Sequence, residues 1–67
     1  MKFDNDKLSS LLRIKNMKQI EFAQAINRAP STVSLYISGK GEPGRKALIA
    51  ISEVFGMPMD ELLKSED

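Results

Sequence analysis

Apolar residues recur along this chain at the three- and four-residue spacing of amphipathic helices. In the first such segment Leu8, Leu11 and Leu12 form one apolar stripe. No segment shows the alternating pattern of a strand, so the sequence predicts a compact all-α domain that occupies residues 1–67. The pattern predicts five helices, at about 5–15, 19–26, 30–38, 45–55 and 59–64.

Capping residues mark the boundaries of these helices. Asp4 suits an N-cap because its carboxylate can accept a hydrogen bond from a free amide of the first turn. Pro30 suits a first helical position because its φ is already helical and that position needs no amide hydrogen. Asparagine and glycine are the residues that end helices most readily, and they are expected to end the first four here: Asn16, Asn27, Gly39 and Gly56.

The second and third helices are separated by only three residues, 27–29. Two short helices joined by so tight a turn form a helix-turn-helix unit, whose second helix can enter the DNA major groove. The outer face of the third helix lacks lysine and glutamate and carries Ser31, Thr32, Ser34, Leu35 and Ser38. Short hydroxyl side chains and one apolar side chain suit base edges and thymine methyl groups. The alternative is a weak helix whose serines have no function.

Composition excludes several classes of chemistry. The chain has no cysteine and no histidine, which excludes disulfides, thiol chemistry and the usual zinc sites. The glycines around Lys40 lack the spacing of a phosphate-binding loop, and Tyr36 has no partner base in the pattern. We therefore expect no enzyme, cofactor or metal. No apolar run is long enough for a membrane span and no secretory segment opens the chain, so we expect a cytoplasmic protein.

The net charge of +1 is distributed unevenly. Between Arg13 and Lys46 the chain has seven basic and two acidic residues, whereas the rest has three basic and seven acidic residues. The predicted helix-turn-helix and its flanks therefore carry the positive charge that a phosphate-facing surface needs. A solvated face with a chance asymmetry would give the same count.

Residues 8–63 resemble the Cro and phage-repressor helix-turn-helix domain, also called the XRE family. The resemblance rests on motifs that keep their register over about fifty residues. These are Gln19, Phe22-Ala23, Ser31-Thr32-Val33-Ser34, Gly39-Lys40, Pro43, and Phe55-Gly56 followed by Met57-Pro58-Met59-Asp60-Glu61-Leu62-Leu63. The resemblance implies a lambda-repressor-like fold with the helix-turn-helix at its second and third helices.

The resemblance also implies a function: sequence-specific binding to a double-stranded DNA operator, with transcriptional repression of the phage or bacterial type. Such proteins usually bind an inverted repeat as a homodimer. The base-reading residues it implies are Pro30, Ser31, Ser34 and Leu35, with Thr32 at the groove edge. Gln19 matches a phosphate-binding glutamine of the family, and Lys18, Ser38 and Lys40 match other backbone contacts. Charge alone adds three further phosphate-binding candidates, Arg28, Arg45 and Lys46.

This chain departs from the family pattern at a few positions. Asn27 stands in place of the usual turn glycine, and Ala29 in place of a serine or threonine cap. Leu12 and Ile37 replace an arginine and a glutamate that often pair, so we expect them to contact each other. A second function remains open: a protein-interaction module on the same fold, such as an antitoxin or adaptor, which predicts an exposed apolar patch.

Overall fold

The computed structural model describes residues 2–65, so the ends of the predicted 1–67 domain, Met1, Glu66 and Asp67, lie outside the described residues. The described chain is mostly helical. Its four α-helices are α1 (Asn5–Ile14), α2 (Gln19–Ala25), α3 (Pro30–Ser38) and α4 (Arg45–Phe55). A 3₁₀ helix, Met59–Leu62, follows α4, and two short strands flank the helices: β1 (Lys2–Phe3) and β2 (Leu63–Lys64).

The prediction of a fifth α-helix at 59–64 was wrong. Only Met59–Leu62 is helical, as a single 3₁₀ turn, and the chain is extended from Leu63. The expectation of a purely α domain fails at the same place, because β2 pairs antiparallel with β1, with Phe3 opposite Leu63 and Lys2 opposite Lys64. Hydrogen bonding to a strand 60 residues away outweighs the local helical pattern. The other predicted helices agree, although α1 and α2 each end one residue early.

The core is built from every helix and from β1. Its buried side chains are Phe3, Leu8, Leu12, Phe22, Ala23, Ile26, Val33, Tyr36, Ala47, Ile51, Phe55 and Leu62. The Phe22 and Phe55 rings stack with their centroids 5.6 Å apart, which joins α2 to α4. Within residues 2–65 no charged or polar side chain is buried in this core. Apolar packing therefore stabilises the fold, since a chain without cysteine cannot form disulfides.

Leu12 and Ile37 lie at the same core. Leu12 is buried, and Ile37 is partly buried and packs against the cluster. Because both side chains are apolar, the core avoids the cost of desolvating a charged pair at these two positions. Their direct contact stays a prediction.

Three helices end with the same hydrogen-bonding motif, in which a left-handed residue reverses the chain. Asn16, Asn27 and Gly56 have φ values of +54°, +57° and +64°, and they follow α1, α2 and α4. After α1, the Met17 amide donates to the carbonyl of Leu12 over 2.9 Å, which is the six-residue bond of a Schellman motif. The predicted asparagine turns are confirmed, because both residues adopt the left-handed conformation.

Candidate nucleic-acid interface

The turn between α2 and α3 fixes the position of α3. The amide of Arg28 donates to the carbonyl of Ala23 over 2.9 Å, and the amide of Asn27 donates to Gln24 over 3.2 Å. These bonds satisfy carbonyls that the end of α2 would otherwise leave unpaired. The residue after the left-handed position is methionine in the other two Schellman motifs, where it packs on the core. Here it is Arg28, which is exposed.

One face of α3 anchors the helix and the other faces solvent. Val33 and Tyr36 are buried in the core. Of the five residues predicted to read bases, Pro30, Ser31, Ser34 and Leu35 are exposed and Thr32 is partly buried. Leu35 keeps 46% of its surface exposed, next to a serine. The outer face of α3 therefore presents hydroxyl groups and one aliphatic side chain, without an acidic group.

All seven residues predicted to bind phosphate are exposed: Lys18, Gln19, Arg28, Ser38, Lys40, Arg45 and Lys46. The side chains of two of them already make local hydrogen bonds. The Ser38 hydroxyl donates to the carbonyl of Leu35 over 3.2 Å and accepts from the amide of Lys40 over 3.4 Å. Its single proton is used in this way, so Ser38 must release that bond before it can donate to a phosphate. The Arg28 guanidinium donates to the carbonyl of Asn27 over 3.1 Å and keeps its other donors free for a ligand.

The N-termini of α2 and α4 carry exposed polar or basic residues. Gln19 is the first residue of α2, and the side chain of Glu21 accepts a hydrogen bond of 2.8 Å from the Lys18 amide. This bond is one half of a capping box. Helix α4 begins at Gly44 with no side-chain cap, and Arg45 and Lys46 occupy its first turn with no acidic residue. Free amides, the positive end of the helix dipole and two cations thus coincide there, as an anion requires.

The cations predicted to bind phosphate form no salt bridge within the described residues. In the part of the chain that the structure describes, the one ion pair joins the Lys7 ammonium to Glu61 at 3.8 Å. Lys18, Arg28, Lys40, Arg45 and Lys46 have no ion pair there. We name the outer face of α3, the turn before it and the N-termini of α2 and α4 the basic face. A polyanion can bind these five cations without displacing an internal carboxylate.

Two side chains near the basic face were missed by the sequence pattern. Asn5 donates to the carbonyl of Ile37 over 3.3 Å, and Glu42 accepts from the Phe3 amide over 3.2 Å. Each bond joins residues more than thirty positions apart in the sequence. Local periodicity carries no signal for such a pair, although Glu42 stands out as the acidic residue of a loop otherwise made of glycine, lysine and proline.

Across residues 2–65 no three acidic side chains come close enough to hold a metal ion. None of the helices in that range has the length and apolar character to cross a membrane.

The chain is similar to known regulators. A family model described as helix-turn-helix matches residues 8–62. An HTH-type transcriptional activator of Enterococcus faecalis, BcrR, is 36% identical over 63 residues, which are 94% of this chain and 31% of that protein. A crystal structure of a transcriptional regulator from Listeria innocua superposes with a TM-score of 0.85 at 26% identity, covering 100% of this chain and 64% of that one. This chain therefore spans about a third of the first relative and under two thirds of the second.

Proposed function

This chain belongs to the XRE-type helix-turn-helix family, and on that premise we propose that it binds double-stranded DNA in a sequence-specific manner through α3 in the major groove. Membership of this family and the similarity to two transcriptional regulators support a role in DNA-binding transcription regulation. The observation that carries the finer proposal is the acid-free outer face of α3, flanked by cations that have no internal ion pair.

In the proposed complex the residues divide into two groups by chemistry. Ser31 and Ser34 reach base edges with hydroxyl groups that can donate or accept, and Leu35 contacts a thymine methyl group. Thr32 lies at the groove edge, and Pro30 contributes shape alone because its side chain has no donor or acceptor. These side chains supply discrimination among sequences.

The second group binds the backbone. Gln19 and the α2 N-terminus hold one phosphate, and Arg45 and Lys46 hold another at the α4 N-terminus. Lys18, Arg28, Ser38 and Lys40 add contacts around α3. Most of the affinity comes from cations that displace condensed counterions from the DNA. The logarithm of the association constant is therefore proposed to fall by about 0.9 per phosphate contact for each tenfold rise in salt concentration.

We further propose that a homodimer binds an inverted repeat whose half-sites lie about one helical turn apart. When such an operator overlaps a promoter, occupancy represses transcription, in the cytoplasm and at the nucleoid of a bacterial or phage-infected cell. Activation is a second candidate because a relative 36% identical to this chain is named an activator. A reporter with the selected operator placed upstream of or across the promoter distinguishes the two.

Selection of bound duplexes from a random DNA library near physiological salt tests the proposal. Enrichment of an inverted repeat supports an operator-binding dimer, and a single half-site supports a monomeric binder. If no sequence is enriched and only salt-sensitive retention is seen, base reading by α3 is excluded. The protein-interaction module then becomes the better account of the exposed Leu35.

Matched variants separate base reading from phosphate binding. Leu35→Ala is expected to relax the preference for thymine at one base pair and to leave the salt dependence unchanged. Arg28→Ala is expected to weaken binding to every duplex equally and to reduce the salt slope by about one unit. Lys7→Ala serves as the control, because it removes the same charge from a lysine that faces Glu61.

A further inference from the structure

Only two of the side-chain hydrogen bonds described between residues 2 and 65 join distant parts of the chain, and both end near the C-terminus of α3. One runs from the Asn5 amide group to the carbonyl of Ile37, in the last turn of α3. The other runs from the Phe3 amide to Glu42, in the loop that follows α3. The remaining six span three residues or fewer.

The Asn5 side chain also packs against the residue that ends α3. A Cβ built on Gly39 would lie 3.3 Å from the amide carbon and nitrogen of Asn5. Gly39 has a φ of +82°, a conformation that residues with a side chain rarely adopt. The absence of a side chain at Gly39 therefore serves two purposes, because it allows the turn and leaves room for Asn5 to reach Ile37.

Residues 2–5, which make these contacts, are themselves fixed to the rest of the domain. Phe3 is buried, and its ring lies 6.5 Å from the ring of Tyr36 on the inner face of α3. Strand β1 pairs with β2, and the Asp4 amide donates to the carbonyl of Leu62 over 2.8 Å. A fixed N-terminal segment thus contacts the end of α3 and the loop that follows it.

We propose that Asn5 and Glu42 are positioning residues for DNA recognition: together they fix the C-terminal end of α3 and the loop that carries Lys40, and so set the angle at which α3 meets the bases. We call this pair of contacts the N-terminal clamp. In the proposed complex neither side chain contacts DNA. The inference rests on the proposed function for its DNA consequence, but the mechanical role of the clamp can be measured without DNA.

The mechanism follows from how the end of α3 is hydrogen bonded. The Leu35 carbonyl accepts from the amides of Gly39 and Gly41, at 3.1 Å and 3.2 Å. The carbonyl of Ile37 receives its side-chain bond from Asn5. Without the clamp the last turn of α3 and the following loop can fray, because terminal turns and glycine-rich loops open at little cost. The buried Val33 and Tyr36 still hold the middle of the helix.

A charge-matched pair of variants at Glu42 isolates the hydrogen bond. Glu42→Gln keeps an acceptor for the Phe3 amide, whereas Glu42→Met removes it, and both remove the same negative charge. Asn5→Ala removes the other bond without a change in charge. Ser10→Ala, at an exposed position on α1 outside the clamp, is its control. Each protein is tested against the selected operator and against a scrambled duplex at one fixed salt concentration.

We expect Glu42→Met and Asn5→Ala to lose about threefold to tenfold in operator affinity, the amount that one hydrogen bond contributes. Binding to the scrambled duplex should stay unchanged in Asn5→Ala and should be the same in Glu42→Met as in Glu42→Gln, because both remove one negative charge. Glu42→Gln should bind both duplexes as well as, or better than, the original chain. Equal losses on both duplexes, or an equal effect of Gln and Met at position 42 on operator affinity, overturn the role of the clamp in recognition.

Amide hydrogen exchange in the DNA-free protein provides the independent measurement. The amides of Gly39 and Gly41 should exchange faster in Glu42→Met and Asn5→Ala, while core amides such as that of Ile51 keep their rates. Unchanged exchange at both glycines overturns the clamp itself. If the original chain enriches no DNA sequence, the proposed function fails, and the exchange measurement still decides whether the clamp holds the end of α3.

Discussion

Helices α1 and α4 are similar in length and packing but begin in opposite ways. They have 10 and 11 residues, and each buries one apolar stripe in the shared core. Helix α1 begins with Asp4, whose carboxylate accepts from the Lys7 amide over 3.0 Å, and has Asp6 in its first turn. Helix α4 begins at a glycine without a side-chain cap, and its first turn holds two cations.

The contrast separates a helix end that serves stability from one that serves binding. A cation near a helix N-terminus forgoes about 0.3–1 kcal/mol that an acidic residue would contribute. Helix α4 tolerates this because Ala47, Ile51 and Phe55 are buried and hold it in place. Helix α3 follows the same rule, with Ala29 as a weak cap and no acid in its first turn. The two helices with unfavourable starts, α3 and α4, are both proposed to contact DNA, whereas α2, which is also proposed to hold a phosphate, has Glu21 in its first turn.

The largest expected effect comes from the core that both helices share. Leu12→Arg places a charge on a buried position with no acidic partner in the core, and we expect the free energy of unfolding to fall by about 3 kcal/mol or more. Urea denaturation measures it. Leu12→Met conserves the volume and should cost under about 1.5 kcal/mol. An unchanged melting temperature in Leu12→Arg would contradict the apolar role of this site.

Reversing the charges at the start of α4 should affect binding and stability in opposite directions. Arg45→Glu combined with Lys46→Glu removes two charge-assisted contacts, so affinity for any duplex should fall by at least about a hundredfold. The free energy of unfolding should rise by about 1 kcal/mol because acids complement the helix dipole. Titration of DNA and urea denaturation measure the two quantities.

Lys2→Glu combined with Lys64→Glu provides the control for that reversal. These lysines lie opposite each other in the β1–β2 pair, so the charge change is identical and a like-charged pair is kept. A loss of DNA affinity as large as in the α4 double variant would show that net charge, not the start of α4, controls binding.

At the start of α1 the expected effect is on stability alone. Asp4→Ala removes the cap on the Lys7 amide, and the free energy of unfolding should fall by about 1 kcal/mol. Affinity for the selected operator should not decrease, because the substitution removes a negative charge from the domain. Chemical denaturation and a binding isotherm on the same sample check both statements. A weaker operator complex would show that this cap contributes to DNA recognition, which would contradict its assignment to stability alone.

The smallest effect is expected from supplying α4 with the cap it lacks. Gly44 has no atom within 4 Å of the position a Cβ would occupy, so a side chain fits there. Gly44→Ser should raise the free energy of unfolding by a few tenths of a kcal/mol and leave DNA affinity unchanged. Gly44→Asp should stabilise the domain similarly but weaken DNA binding at low salt. Equal affinities for the two variants would argue against a phosphate at this helix end.

Much of the fold was predictable because its signals are local. The asparagines at 16 and 27 lie in the left-handed region, and Pro30 and Gly39 bound α3 as their backbone preferences require. The resemblance to the XRE family is confirmed by the family match over residues 8–62. The residues predicted to read bases are exposed or partly exposed on α3, and their contacts with DNA remain a prediction.

The sequence by itself determined the four α-helices, their turns and the acid-free outer face of α3, because each depends on residues within one or two helical turns. Only the tertiary structure decided what the two ends of the domain do. Leu63 and Lys64 leave the helical pattern to pair with Phe3 and Lys2, and Asn5 and Glu42 find partners 32 and 39 residues away. Such hydrogen bonds form only after the core has brought distant backbone groups together, so no local pattern can encode them.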